Sequence, residues 1–413
     1  EKTILEELRK NIYDKGSALY ISRCPGRVSF SKHADYINSD LLYTLDDRDS
    51  YCFLQVITDD QDPAYKKIAL YNHGEYESVI YDFQNLDQVA KSHWSFYVVE
   101  LLRELDLLNR KDFGLTISYI SDLPSGAGLS SSHALMLATY KCLEAAFDLH
   151  LETFSIIKLC QKVENNRGFN SGLGDQSAQL LGKRNQLSFI KIFPELEVKY
   201  VELPSNMSII TAPSFLKADK SLPQFAAANE NIKAYKSIND IVKILDCDYL
   251  ADMNYKYNQI EIFDFLESIQ EAKLKHLALY GLAESARVKE LKENFSPQKL
   301  GEHLNLSHQA ESIGFVSSIN RQIKIEAHSG YYGASTLAND TIQKIAISCP
   351  GVFGSSISGA GLGGSNIIIC KKTATEDLKQ KLIKEFYEPN NLLEQALEHL
   401  HVSSSAGGLS LVS

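Results

Sequence analysis

Between residues 114 and 120 (GLTISYI), Leu115, Ile117 and Tyr119 alternate with Thr116 and Ser118, the period of two that predicts a strand. PSGAG follows at 124–128, and residues 132–147 then run without a breaker, with Leu135, Leu137, Cys142, Leu143 and Phe147 supplying the apolar content of a helix. Strand, glycine loop and helix therefore follow one another. Residues 153–165 place Ile156, Ile157, Cys160 and Val163 at helical spacing, and 206–213 (NMSIITAP) predicts another strand. From about 253 to 325 the pattern is mostly helical, whereas GVFGSSISGAGLGGSNIIIC predicts two β segments joined by a glycine turn. This order predicts a mixed α/β (α+β) protein with a boundary near residue 205, dividing it into domains 1–205 and 206–413. No repeat or long Pro/Ser/Gly tract separates the two, so they are expected to meet through a close interface.

A length of 413 residues predicts two domains or one large one, and 44% hydrophobic with 23% charged residues excludes disorder and coiled coil. The net charge of −10 would repel a phosphate backbone, so nucleic acid is not expected as a partner. Seven cysteines, scattered singly and odd in number, suit a reducing compartment, which makes the cytoplasm the expected location. No apolar run approaches the roughly 18 residues of a membrane helix. The chain opens on Glu1 rather than a methionine, which points to further sequence before it.

The chemistry concentrates in two glycine loops. PSGAGLSSSHAL (124–135) has the form of a loop running into a helix N-terminus, where several backbone N–H groups and the helix dipole suit a phosphate. It adds three consecutive hydroxyls, Ser130, Ser131 and Ser132, able to donate to phosphate oxygens or ligate Mg²⁺. No Lys-Ser/Thr pair follows the last glycine, so this is not a Walker A loop. Six of the 23 glycines fall in residues 351–364. Among them Gly359, Gly361 and Gly364 have formal GxGxxG spacing, but a β-rich run rather than a helix follows, which excludes a dinucleotide fingerprint. A glycine turn that lets another loop or a nucleotide come close is expected there, with a purely structural hairpin as the alternative.

Glu164 stands near the end of one predicted helix, and Asp175 follows eleven residues later in NSGLGDQSAQ. Two carboxylates beside a triphosphate suggest one for Mg²⁺ and one for a hydroxyl nucleophile, although either alone could be a surface acid. Near the start, YISRCPGRVSFSKHADY sets Arg27 after a Pro-Gly turn, then Lys32, His33, Asp35 and Tyr36, the donors and acceptors a polyhydroxylated ligand needs. His303/His308 and His399/His401 lack a spaced third ligand and are read as structural.

Four segments in order resemble the motifs of the GHMP small-molecule kinases, galactokinase-type sugar kinases in particular. They are PGRVSFSKHADY, HWSFYV with Trp94 and Tyr97, LPSGAGLSSSHAL, and SGAGLGGS; VENNRGFNSGLGDQSA is similar to the stretch between the second and third. The resemblance implies a two-domain fold in which ATP and a monosaccharide meet in the interdomain cleft and the γ-phosphoryl group passes to the anomeric hydroxyl. It implies Asp175 as catalytic base, Arg27 as its ion partner, and Mg²⁺ held by Ser131 (or Ser132) and Glu164. ATP is then held by Pro124, Ser125, Gly126, Ala127, Gly128, Leu129, Ser130, Ser131 and Ser132, with Trp94 near the nucleotide, and the sugar faces Lys32, His33, Asp35, Tyr36, Gly172 and Asp175. A monomer is expected.

Two departures stand out. Where the family usually has a glycine-glutamate pair before the histidine, this chain has Ser31 and Lys32 and is one residue shorter, and the family's tyrosine with paired arginines is absent from 214–235. If Lys32 pairs with an acidic group on the sugar, the substrate is a hexuronic acid, a reading that a likeness to the plant uronic-acid kinase branch also suggests; otherwise Lys32 points to solvent. Another GHMP kinase, a non-catalytic sugar-binding regulator and, distantly, a two-carboxylate glycosidase are the remaining alternatives.

Overall fold

A computed structural model of the chain describes residues 18–412 apart from 75, 111 and 217–222. Its larger sheet is built around β2 (Leu41–Ile57), a 17-residue strand whose length gives it several neighbours. β2 pairs antiparallel with β1 (Leu19–Ser29), through 50–57 with β5 (Gly114–Ser121), and through 41–43 with β6 (Gln186–Lys191). β3 (Lys67–Asn72) lies parallel to β5, β4 (Val79–Asp82) flanks β3, and β7 (Glu197–Glu202) flanks β6. From far along the chain β12 (Ser410–Leu411) returns to pair with β1.

Helices α1 (Phe96–Glu104), α2 (Ser131–Phe147), α3 (Thr153–Arg167) and α4 (Gly174–Leu181) accompany this sheet. Ala134, Leu135, Met136, Leu137 and Ala138 are strong helix formers, and no glycine or proline interrupts α2 until Asp148 ends it in the left-handed conformation. α2 packs on β1 and β2 with α1 and α3 against its other sides. It is therefore apolar nearly all round, as a helix enclosed on several faces must be.

The smaller sheet has the order β11 (His401–Ser403), β8 (Met207–Pro213), β10 (Ser365–Lys371), β9 (Val352–Ile357). Ile367 and Ile369 of β10 face the largest core cluster while Ile368 and Cys370 face a second one. Burial on both faces explains why SNIIIC shows no alternation. With this sheet come α5 (Pro223–Val242), α6 (Gln259–Ser268), α7 (Ala272–Glu293), α8 (Pro297–Glu311), α9 (Leu337–Ile347) and α10 (Thr375–Leu382). α8 starts as its sequence dictates: the Ser296 hydroxyl accepts the Lys299 N–H at 3.2 Å, and Pro297 occupies the first turn, where its missing N–H costs nothing.

The expected strands at 114–120 and 206–213 and the helices at 132–147 and 153–165 are present within two residues of their predicted bounds. The helical run expected to about 325 stops at Glu311: Ser312 is extended, Gly314 takes φ +72°, and only a short turn at Ile325–Ala327 interrupts the irregular chain before α9. The two halves share one core, since Ile117, Leu137 and Cys160 cluster with Ile209, Leu300, Leu304 and Ile367. All seven cysteines are buried and unpaired. No helix among the described residues is long and apolar enough to cross a membrane.

Candidate active site

The glycine loop stands where β5 gives way to α2. Ser130 precedes the helix with φ +62°, a left-handed conformation that costs a non-glycine residue about 1 kcal/mol and is commonest where a site demands it. Its hydroxyl does not cap α2; it donates instead to Asp175 Oδ2. With no side chain folded over them, the first N–H groups of this 17-residue helix form an anion site with the dipole behind it. The second glycine-rich segment clasps the loop from the other half of the molecule. Ser358 Oγ donates to the Gly128 carbonyl at 2.7 Å, and a Cβ on Gly128, whose φ is +76°, would stand 2.7 Å from the Ser358 carbonyl oxygen. β10 follows these glycines, so the turn expected to let another loop come close does so, and no dinucleotide fingerprint exists.

Pro25 and Gly26 shift the β1–β2 register just before Arg27. The Arg27 backbone N–H bonds the Leu129 carbonyl at 3.1 Å, and its guanidinium forks onto Asp175, Nε to Oδ1 at 2.7 Å and Nη2 to Oδ2 at 2.8 Å. Asp175 lies in the first turn of α4 and keeps 31% of its side chain open, against 4% for Arg27. Burial works to raise the Asp175 pKa, but Arg27, His133 and the Ser130 hydroxyl outweigh it and hold the carboxyl well below the usual carboxylate range. Glu164, near the end of α3, is fully buried and accepts from the Ser132 hydroxyl at 3.0 Å. Of the two serines expected to accompany it, Ser132 is thus the one joined to Glu164. His133, which sequence reading passed over, lies between the two carboxylates, Nε2 3.7 Å from Glu164 and Nδ1 3.9 Å from Asp175.

Asp175 forms part of the wall of a cleft of about 880 Å³ that runs between the halves. Arg27, Lys32, His33, Asp35, Tyr36, Glu164 and Gly172 line it from the first half, and Asn229, Ile232, Tyr332 and Gly359 from the second. Asp35 Oδ2 accepts the N–H groups of Leu173 and Gly174 at 2.8 and 3.1 Å and packs so tightly on Gly172 that a Cβ there would lie 1.7 Å from it. Burial and the nearby Asp175 raise the Asp35 pKa. Tyr36 donates to the Asn170 carbonyl at 2.9 Å, and the His33 ring stacks on Tyr332 at 3.7 Å. Lys32 is 3% exposed and points into the protein, not to solvent.

All the first-motif and catalytic candidates therefore converge on one cleft. The loop residues 124–132 do not line it but bond to residues that do, Ser130 to Asp175, Ser132 to Glu164, and the Gly128 and Leu129 carbonyls to Arg27; Pro124, Ser125, Gly126 and Ala127 line a separate cleft with Phe215 and Leu216. Trp94 lines neither. It is buried, gives its indole N–H to the Glu77 carbonyl at 3.0 Å and packs edge-on against Tyr119. The exposed ring beside it is Tyr76, whose hydroxyl bonds Ser125 Oγ at 2.6 Å. Of the four histidines read as structural, His303 bonds the Phe30 carbonyl, His308 bonds Asp340 and His401 bonds Asp47, whereas His399 lies 3.7 Å from Glu398 and lines the cleft with Pro124–Ala127. Asp46, Asp47 and His401 form a compact acid-histidine group, but Arg48, Ser403 and Ser404 already occupy its carboxylates.

Residues 95–183 match the family described as GHMP kinases N terminal domain, and residues 288–388 match GHMP kinases C terminal. A galactokinase of Limosilactobacillus fermentum is 26% identical over 396 residues, covering 92% of this chain and 93% of that protein. A galactokinase of Thermosipho africanus is 26% identical, covering 88% and 93%. Among solved structures, Lactococcus lactis galactokinase complexed with galactose superposes with a TM-score of 0.78 at 20% identity over 99% of both chains, and Methanococcus jannaschii mevalonate kinase with 0.55 at 16% over 90% and 97%. With both domains in their expected order, and relatives that span nearly its whole described length, this chain belongs to the GHMP kinases and is of the galactokinase type.

Proposed function

We propose that the protein transfers the γ-phosphoryl group of ATP to the anomeric hydroxyl of a monosaccharide, releasing ADP and a sugar 1-phosphate. The observation that carries this reading is the Arg27–Asp175 fork at the cleft wall, joined through Ser130 to the phosphate loop. The likeness to galactokinases supports the choice of a sugar as acceptor.

In the forward step the hydroxyl oxygen attacks the γ-phosphorus, the bond from that phosphorus to the β,γ-bridging oxygen breaks, and the hydroxyl proton passes to Asp175. A carboxylate held so far below its usual range is a weak base. It suits a loose transition state, in which the nucleophile needs orienting more than early deprotonation. Arg27 keeps the carboxylate ionised, aims it, and places positive charge beside the reacting oxygens. The N–H groups opening α2 hold phosphate oxygens. Ser131, Ser132 and the buried Glu164 offer the hard oxygen donors that Mg²⁺ prefers, and together they would hold it. Bound there, Mg²⁺ would neutralise charge on the β- and γ-phosphate oxygens. We also propose residue 205 as the division between the two domains, ATP binding on the loop side and the sugar in the cleft.

The test is ADP release from Mg·ATP over a panel of neutral hexoses, pentoses, hexuronic acids and a heptose phosphate, with Asp175→Asn alongside. Turnover of one sugar that falls at least a hundredfold in the variant supports the assignment. Turnover that the variant leaves intact refutes Asp175 as base, and binding without any turnover makes the protein a sensor.

A further inference from the structure

The cleft contains polar groups that the protein itself leaves unsatisfied. Lys32 Nζ, His33 Nε2 and the Tyr332 hydroxyl are all buried, all belong to residues lining the cleft, and none has a hydrogen-bond partner among the described residues, although His33 Nε2 lies 3.5 Å from Glu311 Oε1. Lys32 is the costliest of the three, because an ammonium withdrawn from water without a counter-ion forfeits its solvation with nothing in return. Among the described residues no carboxylate comes within the 4.0 Å of an ion pair.

Its neighbours explain why nothing in the protein serves. Glu311 is held by the Tyr280 hydroxyl at 2.9 Å and the Ala334 N–H at 2.9 Å, Glu284 by Arg287 at 2.6 Å on Oε1 while its Oε2 lies 3.8 Å from His303 without a hydrogen bond, and Asp175 by Arg27. These acids lie close enough to act on the Lys32 charge, yet each is fixed elsewhere. A buried cation so placed is completed by an anion that arrives with the ligand.

Two anions could arrive: the γ-phosphate of ATP, or an acidic group on the sugar. No residue of the phosphate loop lines the cleft, whereas Lys32 does, together with His33, Asp35 and Tyr36, which the kinase reading assigns to the sugar. That placement favours the sugar. The charge balance then selects among acidic sugars. Arg27 and Arg287 are already committed, and Asp35, Glu164 and Asp175 also line or border the space. One unspent cation balances a single negative charge, which a carboxylate carries and a phosphate exceeds.

Resting on the kinase reading above, we propose that the sugar substrate is a hexuronic acid whose carboxylate pairs with Lys32, with Tyr332 as a second donor. The remaining substitution in this cleft follows the same logic: an acid at position 32 would repel such a substrate, and a lysine selects it.

The experiment compares kcat/KM for galacturonate, glucuronate and mannuronate with that for their neutral hexoses and their uncharged uronamides, in the wild type and in Lys32→Met. One acid should exceed its own uronamide by on the order of 10–150-fold, the range of a hydrogen bond to a charged group, and Lys32→Met should erase that ratio. Preference for a neutral hexose, or equal use of acid and uronamide, overturns the proposal while leaving the kinase reading intact. Equal losses on acid and uronamide in Lys32→Met place Lys32 on the γ-phosphate and also overturn it. If no sugar is phosphorylated, the kinase reading fails, and calorimetric binding of the acids against the uronamides decides the proposal by itself. The wild-type comparison needs no variant, so a misfolded Lys32→Met does not blunt it.

Discussion

Replacing Arg27 by methionine keeps most of the side chain's volume and removes the fork onto Asp175. Two hydrogen bonds of 2.7 and 2.8 Å disappear, together with the donor to the Gly128 carbonyl. Breaking a buried pair by removing one partner costs about 3–5 kcal/mol; with 31% of Asp175 open to solvent, the lower end, about 3 kcal/mol, is appropriate. With an unfolding entropy of about 2 cal/mol/K per residue, that lowers Tm by roughly 3–4 °C in a chain of this length. Loss of charge beside the reacting oxygens should cost about 10²–10³ in kcat. Arg27→Lys should recover part of the stability and little of the rate, because a single ammonium cannot fork. The pH response gives an independent arm. The depressed Asp175 pKa contributes stability that is complete above the unfolded carboxyl pKa of about 3.9 and disappears as pH falls through the native value. Without Arg27, only His133 and the Ser130 hydroxyl oppose burial, so the Asp175 pKa should rise and the acid limb of kcat should move to higher pH than in the wild type. Differential scanning calorimetry and steady-state ADP release read all three effects. A variant with unchanged Tm, less than threefold loss of kcat and an unmoved acid limb would refute the reasoning.

Gly128→Ala should lose about 1–3 kcal/mol and raise the KM for ATP at least fivefold, since the new Cβ strikes the Ser358 carbonyl oxygen at a φ of +76°; an unchanged Tm and KM would dismiss the clasp. Gly172→Ala drives a Cβ into Asp35 and should raise the sugar KM by an order of magnitude or more while leaving the KM for ATP within twofold; equal effects on both would mean general distortion. Burial pulls the Lys32 pKa down to about 8, with Arg27 lowering it and Glu311, Glu284 and Asp175 raising it, while His33, Asp35 and His303 are the other ionisable side chains around it. A bound carboxylate favours the ammonium, so affinity for a hexuronic acid should be flat below about pH 8 and fall by up to tenfold per unit above it. Isothermal titration across pH 6.5–9.5 reads this, and an equal fall for the uronamide would assign it to another group.

The local parts of the site were legible because each is contained in one short segment. Strand, PSGAG and helix are contiguous, and Pro25–Gly26 announces the irregularity that turns Arg27 inward. Asn229, Ile232 and Tyr332 were not legible, because they reach the site only through packing of α5 and of the irregular chain after α8 against the first half. His133 left a weak signal, a histidine set before Ala134 in the first turn of an otherwise apolar helix. Trp94 shows the opposite limit: an aromatic in the right motif says nothing about which of two neighbouring rings is exposed, and that ring is Tyr76. The helix forecast to 325 overran because scattered apolar residues kept the helical period alive after Gly314 had already broken the backbone.

The pairing of Ser410–Leu411 with β1 also has a meaning in time. Ser22 and Arg23, on the strand that carries Arg27, find their β12 partners in Leu411 and Ser410, and Arg23 reaches the Gly407 carbonyl at 2.8 Å. A ribosome adding about 5–20 residues per second needs roughly 20–80 s to travel from one partner to the other. Until Ser410 and Leu411 have been made, the outer edge of β1 waits unpaired at these positions, a template open to other strands. A chain that lacked Ser410 and Leu411 would leave the edge of the strand that carries Arg27 open to pairing with other strands at Ser22 and Arg23.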